Sequence, residues 1–129
     1  MIEPILKLLR GPLDTFEKVE VGVALYRAPG RALSTMELAR VSGLEPEHVL
    51  RGIAELRQAK LANEVGELVR LTLRTSDEPA FHALVEQYTR DRSALAHAMS
   101  EAARDKIRSM AAHAFAEAFE AGRKKDGDG

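Results

Sequence analysis

The chain has 129 residues, a formal net charge of −1 and no cysteine, which indicates one domain with a short appended element. The missing cysteines exclude disulfides, thiolate metal sites and cysteine nucleophiles. No apolar run has the length of a membrane span, and the first residues lack the basic start and apolar stretch of a secretion signal. We therefore expect a cytoplasmic protein.

Two helices are predicted at the start of the chain. Residues 2–10 carry apolar side chains at helical spacing and form a short first helix, which must dock on something to be stable. A second helix is predicted over 14–28, with Asp14 as its N-cap and Glu17 three residues later. Pro29 ends it, because proline disfavours helix at the preceding residue.

Two more helices follow, separated by a tight turn. Ser34 and Glu37 have the spacing of a capping box, which predicts a third helix starting at Ser34. Gly43 lies just past its end, where a left-handed backbone is needed. Pro46 suits the first turn of a fourth helix, which is predicted to end near Lys60.

A β-hairpin is predicted after the fourth helix. Two short apolar runs, 61–65 and 68–73, surround Gly66, a natural turn residue. In the second run Val69 and Leu71 alternate with polar side chains, which is typical of a half-buried strand.

The rest of the chain is predicted to be a long helix or a pair of helices. It begins at Asp77-Glu78-Pro79 and ends at Gly122. The apolar stripe slips across 89–93, which indicates a kink or a break, and Ser93 could cap a second helix there. The charged, glycine-rich tail at 123–129 is expected to be disordered.

The order of elements from 14 to 75 resembles the winged helix-turn-helix family. The likeness is clearest in Glu37-Leu38-Ala39-Arg40-Val41-Ser42-Gly43-Leu44, followed by the apolar stripe Val49, Ile53 and Leu56. Small Ala39 permits close helix packing, Gly43 permits the turn, and Lys60 stands where the family often has glycine. The resemblance implies a mainly α fold with a small β-hairpin, plus the long C-terminal helix or helix pair. The chain then divides into an N-terminal helix (1–12), the winged domain (13–75), a C-terminal helical element (76–122) and the tail (123–129).

The family usually binds DNA, which implies that helix 46–59 enters the major groove. Placing the apolar stripe inward turns the polar side chains of this helix outward. Arg51 is then suited to hydrogen-bond with guanine, Gln58 with adenine and Glu55 with cytosine. Helix N-termini and the wing commonly contact phosphate. The predicted DNA-contacting residues are Ser34, Thr35, Glu47, His48, Arg51, Glu55, Gln58 and Arg70.

Acidic side chains on the same surface favour an alternative function. Glu45, Glu47 and Glu55 lie on the predicted recognition helix, and Glu64 and Glu67 lie at the predicted wing tip. Carboxylates repel DNA phosphates. The alternative is a winged-helix module that binds proteins without direct DNA contact. A third hypothesis is a structural scaffold without a ligand.

The C-terminal element is predicted to pair two copies of the chain. A continuous helix over 79–121 would be about 65 Å long, more than one small domain can cover. Its small side chains allow close helix packing, so we expect a homodimer, with helix 2–10 joining the interface. This architecture is similar to that of MarR-type regulators, whose terminal helices pair two winged domains. Folding back onto its own domain is the alternative.

Catalytic and metal sites are not indicated. His82 with Glu86, His97 with Glu101 and His113 with Glu117 are each one helical turn apart. Such pairs can hold a metal where two helices meet, but they are more often surface pairs. No nucleophile motif or phosphate-binding loop is present, so we expect no enzyme activity, cofactor or metal.

Overall fold

The computed structural model describes the backbone of residues 2–127 and the side chains of residues 2–120. It confirms a mainly helical fold with a small antiparallel sheet and a long C-terminal helix. The elements in chain order are α1 (Glu3–Arg10), α2 (Phe16–Arg27), β1 (Ala32–Ser34), α3 (Thr35–Ser42), α4 (Pro46–Gln58), β2 (Ala62–Val65), β3 (Leu68–Leu71), α5 (Glu78–Arg90) and α6 (Arg92–Gly127). Within this part of the chain no helix is both long enough and apolar enough to cross a bilayer.

The central helix α2 starts later than predicted, and its cap is Thr15 rather than Asp14. The Thr15 hydroxyl accepts a hydrogen bond from the Lys18 amide at 3.3 Å. Asp14 instead lies outside the helix, where its carboxylate accepts a hydrogen bond from Lys18 Nζ at 2.8 Å. Every residue from Val19 to Leu25 is buried, because α2 packs against α3, α4 and the sheet.

The predicted hairpin is part of a three-stranded antiparallel sheet. The strand order is β1-β3-β2, with Leu33 opposite Val69 and Ser34 opposite Leu68. Gly66 forms the hairpin turn with a positive φ of 63°. The sequence did not predict β1, because three residues between a turn and a helix cap are too few to show alternation.

The turn between α3 and α4 forms as predicted. Ser34 accepts a hydrogen bond from the Glu37 amide and donates one to the Glu37 carboxylate, both at 3.2 Å. Gly43 has a φ of 74° and ends α3 in the left-handed conformation. Lys60, after α4, also has a positive φ of 63°, which costs a residue with a Cβ more than it costs glycine.

A close approach that the sequence did not predict joins α4 to α2. A Cβ atom added at Gly52 would lie 3.0 Å from Val21 Cγ2 and 3.1 Å from the carbonyl oxygen of Glu17. Both distances are tighter than ordinary van der Waals contact. The packing of α4 on α2 therefore requires glycine at this position, and it fixes which face of α4 is turned outward.

The predicted break near 89–93 occurs at Asp91, between α5 and α6. Asp91 caps α6 by accepting a hydrogen bond from the Ala94 amide at 3.0 Å, so the predicted Ser93 cap is wrong. The break is joined to α2 through the buried carboxylate of Glu20. This carboxylate accepts hydrogen bonds from the Tyr88 hydroxyl, at 2.7 Å, and from the Arg92 guanidinium. Pairing satisfies a charge that would be costly to bury alone.

Helix α6 packs against α1 and α5 only over its first turns. Leu95 and Ala102 are buried, whereas all side chains from 103 to 120 are exposed. The helix continues through Gly122, where the sequence predicts its end, to Gly127. Part of the predicted disordered tail is therefore helical, and the rest of it, 128–129, lies outside the described residues.

Candidate nucleic-acid interface

Helix α4 has one buried face and one exposed face. Val49, Ile53 and Leu56 are buried, as predicted, together with Gly52. They pack against α2 and α3, so the opposite face is turned away from the core. The exposed side chains on α4 are Pro46, Glu47, Leu50, Arg51, Ala54, Arg57 and Gln58.

Arg51 and Gln58 lie two turns apart on this exposed face. Neither side chain forms a hydrogen bond or an ion pair with another residue in the described part of the chain. A guanidinium and a carboxamide with unused donors are suited to planar, two-point hydrogen bonding. The structure therefore places both predicted residues where a ligand could reach them.

Glu55 is half-buried at the edge of α4 rather than turned fully outward as predicted, and its contact with a base stays a prediction. Its carboxylate accepts a hydrogen bond from the Thr15 hydroxyl at 2.9 Å. Lys18 Nζ lies 3.9 Å from the same carboxylate. Glu55 stands at the edge between the two faces of α4, where the start of α2 offers both a hydroxyl donor and a positive charge.

His48 lies on the flank of α4 and is turned toward α2. Its Nδ1 is 3.5 Å from the Glu17 carboxylate, and its Nε2 is 3.8 Å from the Glu47 carboxylate. Nδ1 is buried and has no hydrogen-bond partner within the described residues. The ring is therefore positioned over the α2–α4 contact more than over the exposed face.

Two of the carboxylates near this surface have partners within the chain. Glu64 on β2 pairs with Arg57 on α4 at 3.0 Å, which neutralises its charge locally. Two of the five carboxylates, Glu55 and Glu64, therefore have a partner within the chain, although Glu64 stays exposed and its pairing also occupies the positive charge of Arg57. Glu45, Glu47 and Glu67 remain exposed.

The start of α3 lies beside the hairpin, because Ser34 ends β1 opposite Leu68 of β3. The Ser34 hydroxyl is occupied by Glu37, and Thr35 is half-buried. Arg70 is exposed on β3, the central strand, between Ala32 and Asn63 rather than at the hairpin tip. None of these three predicted contacts lies on α4 itself.

Several exposed apolar side chains on α3 and α4 were not predicted. Met36, Val41 and Leu50 are 85%, 57% and 57% exposed on α3 and α4. Helical spacing from Glu47 through Ala54 could have identified Leu50, because it falls outside the buried stripe of 49, 53 and 56. The same spacing could have identified Arg57 as an exposed side chain.

The three predicted histidine–glutamate pairs form, with nitrogen–oxygen distances of 3.0 to 3.1 Å. In the part of the chain that the structure describes, no three potential metal ligands meet. Each pair is exposed, so they are surface ion pairs whenever histidine is protonated.

Neither a protein-family model nor a curated protein matches this sequence. Inference of function therefore depends on the arrangement just described. Its main features are an outward face on α4, with two polar side chains that have no partner among the described residues, and the start of α3 beside the β-hairpin.

Proposed function

We propose that this protein is a winged helix-turn-helix regulator of transcription that binds DNA by inserting α4 into the major groove. The observation that carries the proposal is the packing of α4, which buries one face against α2 and leaves Arg51 and Gln58 exposed on the other. Arginine pairs with guanine and glutamine with adenine through two hydrogen bonds each. The start of α3 and the hairpin would then lie near the phosphate backbone.

The charge distribution supports binding that depends on base contacts more than on bulk electrostatics. Glu55 and Glu64 are engaged with Thr15 and Arg57, so they do not face the duplex as free charges. Arg57 is paired with Glu64, so Arg51 is the one arginine of α4 without a partner in the described residues to meet a phosphate. We therefore expect a shallow dependence of affinity on salt concentration.

The proposal includes a cytoplasmic homodimer, as expected from the terminal helices. Two copies would present two α4 helices to one face of the duplex. Half-sites would then be about 34 Å apart, or one helical turn of DNA.

Selection from a pool of random duplexes at about 50 mM salt, followed by fluorescence anisotropy on the enriched sequence, tests DNA binding. We expect Arg51→Ala to weaken binding by about 5- to 100-fold, the worth of one bidentate base contact. Arg90→Ala is the control, because Arg90 is an exposed arginine on α5. Absence of binding by the wild-type protein to every duplex would overturn the proposal.

A second candidate function, a protein-binding module, is favoured by the exposed apolar side chains. Met36, Val41 and Leu50 are exposed apolar side chains, which suit a protein partner better than phosphates. Crosslinking followed by co-purification separates the two functions. A partner protein that is lost with Met36→Gln, while DNA affinity is unchanged, would support this candidate. Recovery of DNA without any protein partner would count against it.

A further inference from the structure

Helix α4, which the structure describes completely, exposes one large apolar side chain on its outward face. Leu50 is 57% exposed, although it follows directly after the fully buried Val49. The other exposed side chains of the helix are polar or smaller, namely Pro46, Glu47, Arg51, Ala54, Arg57 and Gln58. A single exposed leucine is common on protein surfaces, so what matters is where this one lies.

Leu50 lies near the beginning of α4, beside Arg51. It is the fifth residue of a helix that starts at Pro46. In a helix-turn-helix, the N-terminal part of the recognition helix contacts the base edges, and long helical side chains lean toward that end. Leu50 and Arg51 leave the helix axis about 100° apart, with Glu47 and Ala54 between them. The two side chains therefore form the two sides of the outward face.

The apolar surface around Leu50 is small. One turn away along α4, its exposed neighbours are Pro46, Glu47 and Ala54, none of which is a large apolar side chain. A specific protein interface buries about 800 Å² on each partner, far more than one leucine offers. A contact with a single methyl group needs only one such side chain. The size of the surface at this point of α4 therefore favours a small apolar group as its partner.

Thymine offers such a group in the major groove. Its C5 methyl group lies at the base edge, where the other groups of the bases are hydrogen-bond donors and acceptors. The side chain of Leu50 can form no hydrogen bond, so against any other base it would take a donor or acceptor away from water without replacing the bond. Against thymine it buries a methyl group instead. A leucine at this position therefore selects thymine by both attraction and exclusion.

We propose that Leu50 determines specificity for a thymine, whose C5 methyl group it contacts within about two base pairs of the guanine bound by Arg51. Adjacent residues rise only about 1.5 Å along a helix, less than the spacing of about 3.4 Å between successive bases, so both side chains reach the same short stretch of duplex. This inference rests on the DNA binding of the proposed function and adds an apolar contact to its polar ones.

Replacing thymine by uracil tests this contact, because uracil lacks the C5 methyl group but keeps the hydrogen-bonding groups of thymine. Each thymine of the selected duplex is replaced in turn, and affinity is measured by fluorescence anisotropy. We expect uracil at one position of each half-site to weaken binding by the wild-type protein about three- to fivefold, the worth of one buried methyl carbon. At that position Leu50→Ala should bind the thymine and uracil duplexes equally well.

Val41→Ala is the matched control, because Val41 is also 57% exposed but lies on α3. It should keep the full preference for thymine over uracil. Both substitutions are at exposed positions, so urea unfolding should show stabilities close to that of the wild-type protein.

Three results would overturn the proposal while DNA binding itself stands. The first is a duplex on which no uracil weakens binding by the wild-type protein. The second is an equal preference for thymine in the wild-type protein and Leu50→Ala, because the preference would then come from DNA shape. The third is loss of the preference in Val41→Ala as well. In each case Arg51→Ala can still weaken binding, so this inference fails separately from the proposed function. Failure of every duplex to bind overturns both.

Discussion

The hydroxyl of Thr15 donates a hydrogen bond of 2.9 Å to the carboxylate of Glu55, joining the start of α2 to the third turn of α4. The same hydroxyl accepts the Lys18 amide, so one side chain caps α2 and holds α4. Glu55 therefore belongs to the packing of these helices rather than to the exposed face that carries Arg51.

Glu55→Ala should mainly lower stability, whereas Arg51→Ala should mainly weaken DNA binding. Loss of the Thr15 hydrogen bond should lower the free energy of unfolding by about 1 kcal/mol, measured in urea, with little change in DNA affinity. Arg51→Ala should leave stability nearly unchanged and weaken DNA binding, because Arg51 is exposed and unpaired in the described part of the chain. A large loss of DNA affinity in folded Glu55→Ala would show that Glu55 contacts the duplex after all.

Gly52→Ala should destabilise the protein by about 1–3 kcal/mol. The added methyl group would lie 3.0 Å from Val21 Cγ2 and 3.1 Å from the Glu17 carbonyl oxygen. At an exposed helix position the same change would stabilise by up to about 1 kcal/mol, so the expected sign is diagnostic. Ala54→Ser, on the exposed face of α4, serves as the control in the same urea experiment. A more stable Gly52→Ala variant would mean that α2 and α4 are less closely packed.

Acid should weaken the fold partly through Asp14. Burial alone would raise the pKa of Asp14, but hydrogen bonds from Lys18 and Lys106 outweigh it and hold the pKa below its ordinary value of 3.8. A carboxyl with a lowered pKa contributes stability that is present above the ordinary value and is lost as pH falls through the folded-state value. Between about pH 5 and pH 2, the free energy of unfolding in urea should therefore fall less steeply with decreasing pH for Asp14→Asn than for the wild-type protein.

The control for Asp14→Asn is Asp105→Asn, because Asp105 lies on the exposed part of α6. It should retain the wild-type slope with pH. Identical pH profiles for Asp14→Asn and the wild-type protein would show that the pairing with Lys18 and Lys106 contributes nothing to stability.

Lys60→Gly should stabilise the protein by about 1 kcal/mol, because Lys60 has a φ of 63° and its Cβ is strained in the left-handed region. Gly43→Ala is the reciprocal change, since Gly43 has a φ of 74°. It should cost a similar amount, although no atom lies within 4 Å of the added Cβ. Both are measured by urea unfolding. A stability loss in Lys60→Gly would show that the lysine side chain contributes more than its backbone strain costs.

Much of the structure around α3 and α4 could be predicted, because it depends on residues that are close together in the sequence. The Ser34 cap, the Gly43 turn and the buried stripe of α4 each depend on residues three or four positions apart. The exposure of Arg51 and Gln58 followed directly from that stripe. The direction of the Glu55 side chain did not follow from the stripe. Contacts with neighbouring elements decide where a side chain points when it lies at the edge of a helix face.

The sequence by itself determined the helices, the tight turn, the hairpin and the position of the α5–α6 break, since these depend on short-range hydrogen bonds and backbone preferences. Tertiary structure alone decided the third strand, the glycine contact between α2 and α4, and the bonding of buried Glu20 to Tyr88. These features join residues 30 or more positions apart, and a pattern along the chain carries no information about which distant side chains will meet.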